Sequence, residues 1–287
     1  MKPKNCLVFG ASGQIGRNLI RKLTKNNYKV TAITRNIHQK GYLLKTQAPA
    51  GWIDCIEANI FDEKKLKDLV GKSEICINLV GILSEGKKVN TFDNIHNKFP
   101  SLISKICKEK GIEQFIQLSA LGIEEATDSL YAKSKLRGEN EIKKNLPKAT
   151  ILRPSVVYSV DDNFTTNFMT LLNLLPFFPI FKNTKFTPIH VSDLIEIIYH
   201  IISKEVKSMT IECIGNEVIN MKDILKKLLI LMGKKRLLIS LPFGVSKIIV
   251  NLFGFLPNPP ITKDQLNLLK KDNVVSGKYK TNFDIGV

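Results

Sequence analysis

Residues 6–16 read CLVFGASGQIG, and this stretch decides the fold. A short apolar strand runs directly into a glycine loop, Gly10-x-x-Gly13-x-x-Gly16, and residues 14–26 continue with the apolar spacing of a helix. In this setting the glycines permit a tight turn, close approach of a pyrophosphate, and contact between the helix and the strand. N–H groups at the start of the helix then face the phosphates. The stretch predicts a dinucleotide-binding loop, the alternative being a glycine-rich turn without a ligand.

Strands and helices alternate outward from this loop as far as residue 155. Strands are predicted at residues 6–10, 29–34, 52–56, 75–80, 114–118 and 149–152. Helices are predicted at residues 14–26, 62–71, 91–110 and 129–145. Strands joined by crossover helices form a parallel sheet with helices on both faces, and continuous apolar strands fit burial on both sides. The sequence therefore predicts an α/β fold with a Rossmann-type doubly wound parallel sheet.

The pattern is looser after residue 155. Strands are predicted at residues 185–189 and 209–214, and helices at residues 191–203 and 220–232. This region contains no internal repeat and no low-complexity linker. We therefore expect a dinucleotide-binding Rossmann domain at 1–155 and a smaller C-terminal α/β cap or partner-binding region at 156–287, interleaved with the first.

Composition is that of an ordinary globular protein except for its charge. Of the 287 residues, 44% are hydrophobic and 24% charged, which excludes global disorder, collagen and coiled coil. No apolar run suits a spanning helix, and no signal peptide precedes the first strand. Five scattered cysteines and four scattered histidines predict no disulfide framework and no metal site. The net charge of +17 indicates either a lysine-rich solvated surface or an anionic partner.

The second strand bears on the choice between NAD and NADP. An NAD site uses an acidic residue here to hold the ribose 2′-hydroxyl. This strand ends instead at Arg35, and His38 and Lys40 follow closely. A guanidinium can bind a 2′-phosphate through two hydrogen bonds. The sequence therefore favours NADP(H) over NAD(H), the alternative being an exposed surface arginine.

Three further residues are candidates for a catalytic site. Ser119 ends the fifth strand, and Tyr131 and Lys135 form a Y-x-x-x-K pair twelve residues later. On a helix, positions four apart share a face, so both side chains point into one cleft. A nearby ammonium favours the phenolate, which lets a tyrosine exchange a proton with a substrate carbonyl or hydroxyl. The set predicts either a reductase site or a site that holds the cofactor without turnover.

Together these motifs resemble the short-chain dehydrogenase/reductase family, in particular its extended and atypical branches, which include NAD-dependent epimerases and dehydratases. The resemblance implies catalytic roles for Ser119, Tyr131 and Lys135. It also implies a cofactor-binding set, namely Gly10, Ser12, Gly13, Gln14, Ile15, Gly16, Arg35, Asn59, Ile60, Val80, Gly81, Tyr131, Lys135 and Pro154.

The sequence departs from that family at three places. Asn59 stands where the family usually has Asp, and His96 stands where extended members often have Asn. Only eleven residues separate Ser119 from Tyr131, so the usual sugar-binding insert is missing. The last two departures disfavour a sugar-nucleotide epimerase or dehydratase.

A closer resemblance comes from residues 78–81, 151–164, 168–181 and 261–276. These stretches are similar to the nucleotide-binding accessory subunit of respiratory complex I and its bacterial homologues, and the tail is the most specific of them. The resemblance implies an atypical dehydrogenase fold with a tightly held, structural NADPH. It implies an accessory or assembly component of NADH:quinone oxidoreductase, with other subunits of that complex as partners.

Charge and hydrophobicity add a further expectation about location. Residues 220–287 carry twelve basic and four acidic side chains, and large apolar side chains fill residues 168–181 and 237–256. Such patches, if exposed, mark an interface, and Lys234, Lys235 and Arg236 next to the second one suit anionic lipid. We expect a cytoplasmic protein, peripheral on the cytoplasmic face of the inner membrane. No nucleic-acid-binding motif accompanies the charge.

One alternative function remains open from the sequence. The chain would then be an active NADP-dependent reductase that uses Tyr131 and Lys135 on an apolar, quinone-like or isoprenoid-like substrate. The tail and the apolar segments favour the accessory component, whereas the complete set of Ser119, Tyr131 and Lys135 favours the reductase. The sequence alone leaves enzymatic activity undecided.

Overall fold

The computed structural model describes residues 3–86, 89–253 and 261–287. Its strands are β1 Asn5–Phe9, β2 Lys29–Thr34, β3 Ile53–Glu57, β4 Ile75–Asn78, β5 Gln114–Leu118, β6 Thr150–Pro154, β7 Val157–Tyr158, β8 Phe177–Ile180, β9 Lys185–Phe186, β10 Ile189–His190, β11 Thr210–Cys213, β12 Ile219–Asn220, β13 Leu237–Ser240 and β14 Lys280–Thr281. Its α-helices are α1 Gln14–Lys25, α2 Ile37–Lys45, α3 Glu63–Gly71, α4 Phe99–Glu109, α5 Leu130–Asn145, α6 Asn163–Leu174, α7 Val191–Ser203, α8 Met221–Leu231, α9 Phe243–Phe253 and α10 Lys263–Leu268.

A single parallel sheet organises the described residues. Its strand order is β14-β11-β6-β5-β4-β1-β2-β3. The chain runs from β1 outward to β3 on one side, then crosses to β4 and continues outward on the other side. In open α/β sheets the crevice at this reversal, outside the carboxyl ends of the strands, is where ligands bind. The predicted α/β fold with a doubly wound parallel sheet is confirmed.

Both faces of the sheet are buried, as β1 illustrates. Cys6 and Val8 pack on one face with apolar residues of α1, α2 and α7, including Leu19 and Ile198. Residues Leu7 and Phe9, which alternate with them, pack on the other face with α3, α4 and α5. A strand covered on both sides has no polar face, and this explains the uninterrupted apolar run at residues 6–9.

The C-terminal region contributes to the main sheet as well as to a cap. Strands β11 and β14 extend the sheet beyond β6, and α7 packs against α1. The cap contains α6, α8 and the two-stranded pairs β8–β13 and β9–β12, around a separate apolar cluster that includes Leu172, Phe178 and Leu225. The division at residue 155 stays a prediction.

Three local features differ from the predicted elements. Helix α2 was not predicted, because its sequence IHQKGYLLK has a weak apolar pattern with Gly41 in the middle. The predicted helix 91–110 is a π-helical turn, Asn94–Lys98, followed by α4. The predicted strand 75–80 ends at Asn78, whose Oδ1 accepts the N–H of Val80 and turns the chain.

The two apolar segments noted in the sequence form regular structure. Residues 168–181 fall in α6 and β8, and residues 237–253 fall mainly in β13 and α9. The remainder of the second segment, residues 254–256, lies outside the described residues. Within the described ranges, no helix combines the length and the apolar character needed to cross a membrane.

Candidate functional site

The glycine loop occupies the crevice between β1 and β4. Gly10 has φ +75°, in the left-handed region that favours glycine, and an added Cβ would lie 2.9 Å from the backbone carbon of Leu79. Gly16 lies in the first turn of α1, where an added Cβ would approach the Ala11 carbonyl oxygen to 2.5 Å. Backbone contacts therefore demand glycine at both positions.

At Gly13 the approach of a ligand, more than the fold, requires the absence of a side chain. It is the exposed N-cap of α1, and an added Cβ would meet only the Gly10 carbonyl oxygen, at 3.3 Å. No side chain of the described residues caps this helix, and its first turn carries no acidic residue. The backbone N–H groups of Gln14 and Ile15 thus remain at the positive end of the helix. Together with Ser12, this turn can bind an anion such as a pyrophosphate.

Three predicted residues lie at the ends of β2 and β3. Arg35 is exposed directly after β2, and its Nη1 donates to Asn90 Oδ1 at 3.2 Å. Asn59 is also exposed, but its Oδ1 accepts the N–H of Phe61 at 3.0 Å. Ile60 is buried. The structure brings all three to the same side of the crevice, with the Arg35 guanidinium available to solvent.

Val80 and Gly81 lie in the loop after β4, on the opposite side of the glycine loop. Asn78 fixes this loop, because its Nδ2 donates to Gln117 Oε1 at 2.8 Å and its Oδ1 accepts the N–H of Val80 at 3.1 Å. An added Cβ at Gly81 would lie 3.4 Å from Lys135 Nζ. The loop therefore lies between the glycine loop and the helix that carries Lys135.

Ser119, Tyr131 and Lys135 meet at the carboxyl end of β5. Lys135 Nζ donates to the carbonyl of Leu118 at 3.2 Å and lies 5.9 Å from the centre of the Tyr131 ring. Ser119 Oγ is buried and has no hydrogen-bond partner among the described residues. Pro154 ends the adjacent strand β6, where its carbonyl accepts the N–H of Leu121. A buried, unpartnered hydroxyl in the residue that follows Leu118, whose carbonyl binds Lys135, fits a site that receives a polar ligand group.

Burial moves the pKa values of the two titratable members in opposite directions. It raises the pKa of Tyr131 well above its usual range, and the Asp264 carboxylate adds to that effect. It lowers the pKa of Lys135 to about 8, against a smaller opposing effect of Glu139. Tyr131 is therefore a neutral phenol at neutral pH, because burial and the Asp264 carboxylate both disfavour the phenolate.

His96 belongs to the site although no role for it was predicted. Its Nε2 accepts the N–H of Ile82 at 3.1 Å, and its Nδ1 lies 2.9 Å from Ser134 Oγ, which in turn donates to the Tyr131 carbonyl at 2.7 Å. This pattern places the proton on Nδ1. Burial and the Lys135 ammonium lower the pKa of His96 to about 2, so the ring is neutral. His96 joins the loop after β4 to α5.

The C-terminal tail reaches the same helix. Asp264, at the start of α10, accepts hydrogen bonds from the backbone N–H groups of Leu130 and Tyr131 at 2.6 and 3.1 Å and from Ser129 Oγ at 2.8 Å. A carboxylate here complements the positive helix N-terminus. Sequence spacing could not reveal this contact, because it joins residues more than 130 positions apart.

A second tail residue lies at the carboxyl ends of β5 and β6. Asn273 Nδ2 donates to the Leu121 carbonyl at 2.8 Å, and its Oδ1 accepts from Ser155 Oγ at 2.6 Å. Its backbone N–H donates to Lys185. The tail thus crosses the segment between Ser119 and Tyr131, on the side of the sheet where a substrate would lie.

A doubly wound sheet with a G-x-x-G-x-x-G loop at its reversal, next to a Tyr–Lys pair, defines a dinucleotide-binding protein of the short-chain dehydrogenase type. The model of the family described as NAD(P)H-binding matches residues 10–177. The chain belongs to this NAD(P)H-binding family.

Individual proteins refine this assignment. Subunit 9 of the mitochondrial NADH dehydrogenase [ubiquinone] 1 alpha subcomplex of Arabidopsis thaliana is 28% identical over 283 residues, covering 94% of this chain and 70% of that protein. A ceramide reductase of Caulobacter vibrioides is 25% identical over 189 residues, covering 65% and 57% of the two chains. The crystal structure of gox2253 has a TM-score of 0.75 at 18% identity, with 95% and 90% covered.

These comparisons confirm the resemblance to the short-chain dehydrogenase type and to the complex I accessory subunit. A nicotinamide dinucleotide is the family's ligand. The roles of the individual site residues stay predictions.

Proposed function

We propose that this chain is an accessory or assembly component of NADH:quinone oxidoreductase that holds a nicotinamide dinucleotide as a structural group. The observation that carries the proposal is the similarity to the complex I subunit, which extends over 94% of this chain. A match of this length reaches at least Asp264, the tail residue that binds the start of α5. The ceramide reductase covers only 65% of this chain.

The geometry around Tyr131 supports a held rather than a reacting nucleotide. A phenol with a raised pKa is poorly suited to proton exchange near neutral pH. Lys135 donates to the Leu118 carbonyl and lies close to Gly81, where it can hold a ribose hydroxyl. Asp264 fixes the first turn of α5 and keeps negative charge near the phenol.

The preferred nucleotide is NADP(H), through Arg35. The guanidinium is exposed at the end of β2, and His38 and Lys40 are exposed beside it. The nearby carboxylate of Glu57 is engaged by the N–H of Ile37 at 2.7 Å. Positive charge with no acidic partner among the described residues favours a 2′-phosphate over a 2′-hydroxyl.

Arg35→Asp tests this preference. The change replaces attraction to the 2′-phosphate with repulsion, so we expect NADPH affinity to fall by roughly tenfold or more while NADH affinity changes little. Calorimetry with both nucleotides measures the ratio, and Lys29→Asp at the exposed start of β2 is the control. If the affinities for NADPH and NADH are equal both before and after Arg35→Asp, Arg35 does not contact the 2′-phosphate.

The location we propose is the cytoplasmic face of the inner membrane. Leu174 is 71% exposed, Phe177 54% and Leu237 65%, around the paired strands β8 and β13. Lys234 and Lys235 precede β13. Release from membranes by moderate salt would indicate attachment through charge, whereas a need for detergent would indicate apolar or protein contacts.

The second candidate is an NADP-dependent reductase of an apolar substrate, favoured by the unpartnered Ser119 hydroxyl at the end of β5 and by the proximity of Lys135 to Tyr131. Affinity purification of the chain from its native membranes separates the two functions. The accessory component is expected to carry a nucleotide that survives dilution, together with subunits of the oxidoreductase. A soluble chain that releases its nucleotide and captures none of those subunits would favour the reductase.

A further inference from the structure

The segment between β7 and α6 lies across the first turn of α1, and we call residues 159–162 the clasp. Gln14 Nε2 donates to Ser159 Oγ at 2.8 Å, and the Arg17 guanidinium forms an ion pair with Asp161. Arg17 also donates to the Ser12 carbonyl at 2.8 Å. The phosphate loop and the clasp are therefore joined by two side chains of α1, Gln14 and Arg17.

The clasp is held in shape by its own hydrogen bonds. Ser159 Oγ donates to Asp161 Oδ1 at 2.7 Å, and the Asp161 N–H donates back to Ser159 Oγ at 3.2 Å. Asp162 is buried, accepts the N–H of Ser159 at 3.1 Å, and caps α6 by accepting the N–H of Thr165 at 2.6 Å. The clasp is thus a fixed extension of the cap.

The positions of Gln14 and Arg17 on α1 link the contacts of the clasp to the binding of a nucleotide. Gln14 and Arg17 are three residues apart, so both side chains emerge from one side of the helical turn whose N–H groups face the pyrophosphate. Val160 is 97% exposed, which places the outer side of the clasp in solvent. The inner side, carrying Ser159, contacts the turn.

We propose that Ser159 and Asp161 are positioning residues that close the clasp over the phosphate loop and slow the release of the dinucleotide. Release then requires the Gln14–Ser159 and Arg17–Asp161 contacts to open, because they join the cap to the turn that binds the pyrophosphate. This inference deepens the proposed function, since it rests on the nucleotide being retained. Neither residue touches Tyr131 or Lys135 by any hydrogen bond among the described residues.

The test is the dissociation rate of NADPH from the full chain, followed by nucleotide fluorescence after a chase with excess NADP⁺. Ser159→Ala removes the acceptor of the Gln14 contact together with the hydrogen bonds between the Ser159 hydroxyl and Asp161, and Asp161→Asn removes the charge that pairs with Arg17. We expect each to speed dissociation about three- to tenfold, and the double variant to speed it further, with a smaller change in association rate. The matched control is Glu196→Gln, which breaks the exposed Lys22–Glu196 pair between α1 and α7.

The outcomes separate this inference from the proposed function. An unchanged dissociation rate in both single variants would contradict the proposed role of the clasp. This holds even if the variants lower the melting temperature. Acceleration by Glu196→Gln to the same extent would overturn it too, because general loosening of α1 would then suffice. Rapid release from the unmodified protein would contradict structural retention, while the ratio between variants would still decide the clasp.

Discussion

The side chain of Lys135 is almost fully buried at the end of β5, and the residue is only 7% exposed. Its pKa of about 8, compared with an ordinary value of 10.5, follows mainly from burial. The unfolded chain therefore binds more protons than the folded chain between these two values. Stability contributed by this group rises with pH in that window and is reduced below it.

A pH series on the nucleotide-free protein tests this environment. We expect the free energy of unfolding to rise between pH 8 and pH 10, relative to Lys135→Met, by on the order of 2 kcal/mol. Denaturant titrations of both proteins measure the difference, and Lys133→Met, exposed on the same helix, is the control. A flat difference between pH 8 and pH 10 would show that Lys135 keeps an ordinary pKa.

Substitution of Gly13 can test ligand binding separately from folding. Its backbone is extended, and an added Cβ would make one close contact, 3.3 Å from the Gly10 carbonyl oxygen, whereas a Cβ at Gly16 would overlap backbone atoms at 2.5–2.7 Å. We expect Gly13→Leu to abolish binding of NADH and NADPH while the melting temperature changes little, because a side chain blocks approach of the pyrophosphate. Calorimetry and thermal melts measure both effects. Retained binding would place the phosphates elsewhere, and Gly16→Leu should fail to fold.

Helix α5 is held by contacts from three parts of the chain. His96 bonds toward it from the π-helical turn, Asp264 accepts its first N–H groups, and its own Ser129 caps it by accepting the N–H of Ala132. The sequence predicted this helix to within one residue, because Ser129 is a good N-cap and the helix is followed by a strand. The tail contact is nonlocal, so no pattern along the chain could predict it.

Asp264→Ala tests the attachment of the tail to this helix. It removes a carboxylate that accepts three hydrogen bonds, so we expect a loss of about 1–3 kcal/mol in unfolding free energy. Hydrogen exchange should accelerate at Leu130 and Tyr131. Asp284→Ala, which removes a similar carboxylate bonded to Thr281, should leave exchange at α5 unchanged. Unaltered protection of α5 in Asp264→Ala would show that the tail does not stabilise it.

The overall architecture was the most predictable part of the protein. The glycine loop and the alternation of apolar strands specified the sheet, and the predicted helix 191–203 matches α7 at both ends. Elements held by distant partners were harder to predict, as β14 shows: its two residues extend the sheet only by pairing with β11. The unpredicted site residues Asp264 and Ser159 likewise act across long sequence separations.

The amount of assembled NADH:quinone oxidoreductase in membranes of cells carrying single substitutions tests the proposed function most directly. Tyr131→Phe removes the hydroxyl but keeps the ring contacts with Phe92 and His96, whereas Lys135→Met removes the amine that can hold the nucleotide. We expect wild-type amounts and NADH oxidation with Tyr131→Phe, and a several-fold loss of both with Lys135→Met. Loss of cellular function with Tyr131→Phe, in a protein that still folds and binds nucleotide, would contradict the structural role and establish catalysis.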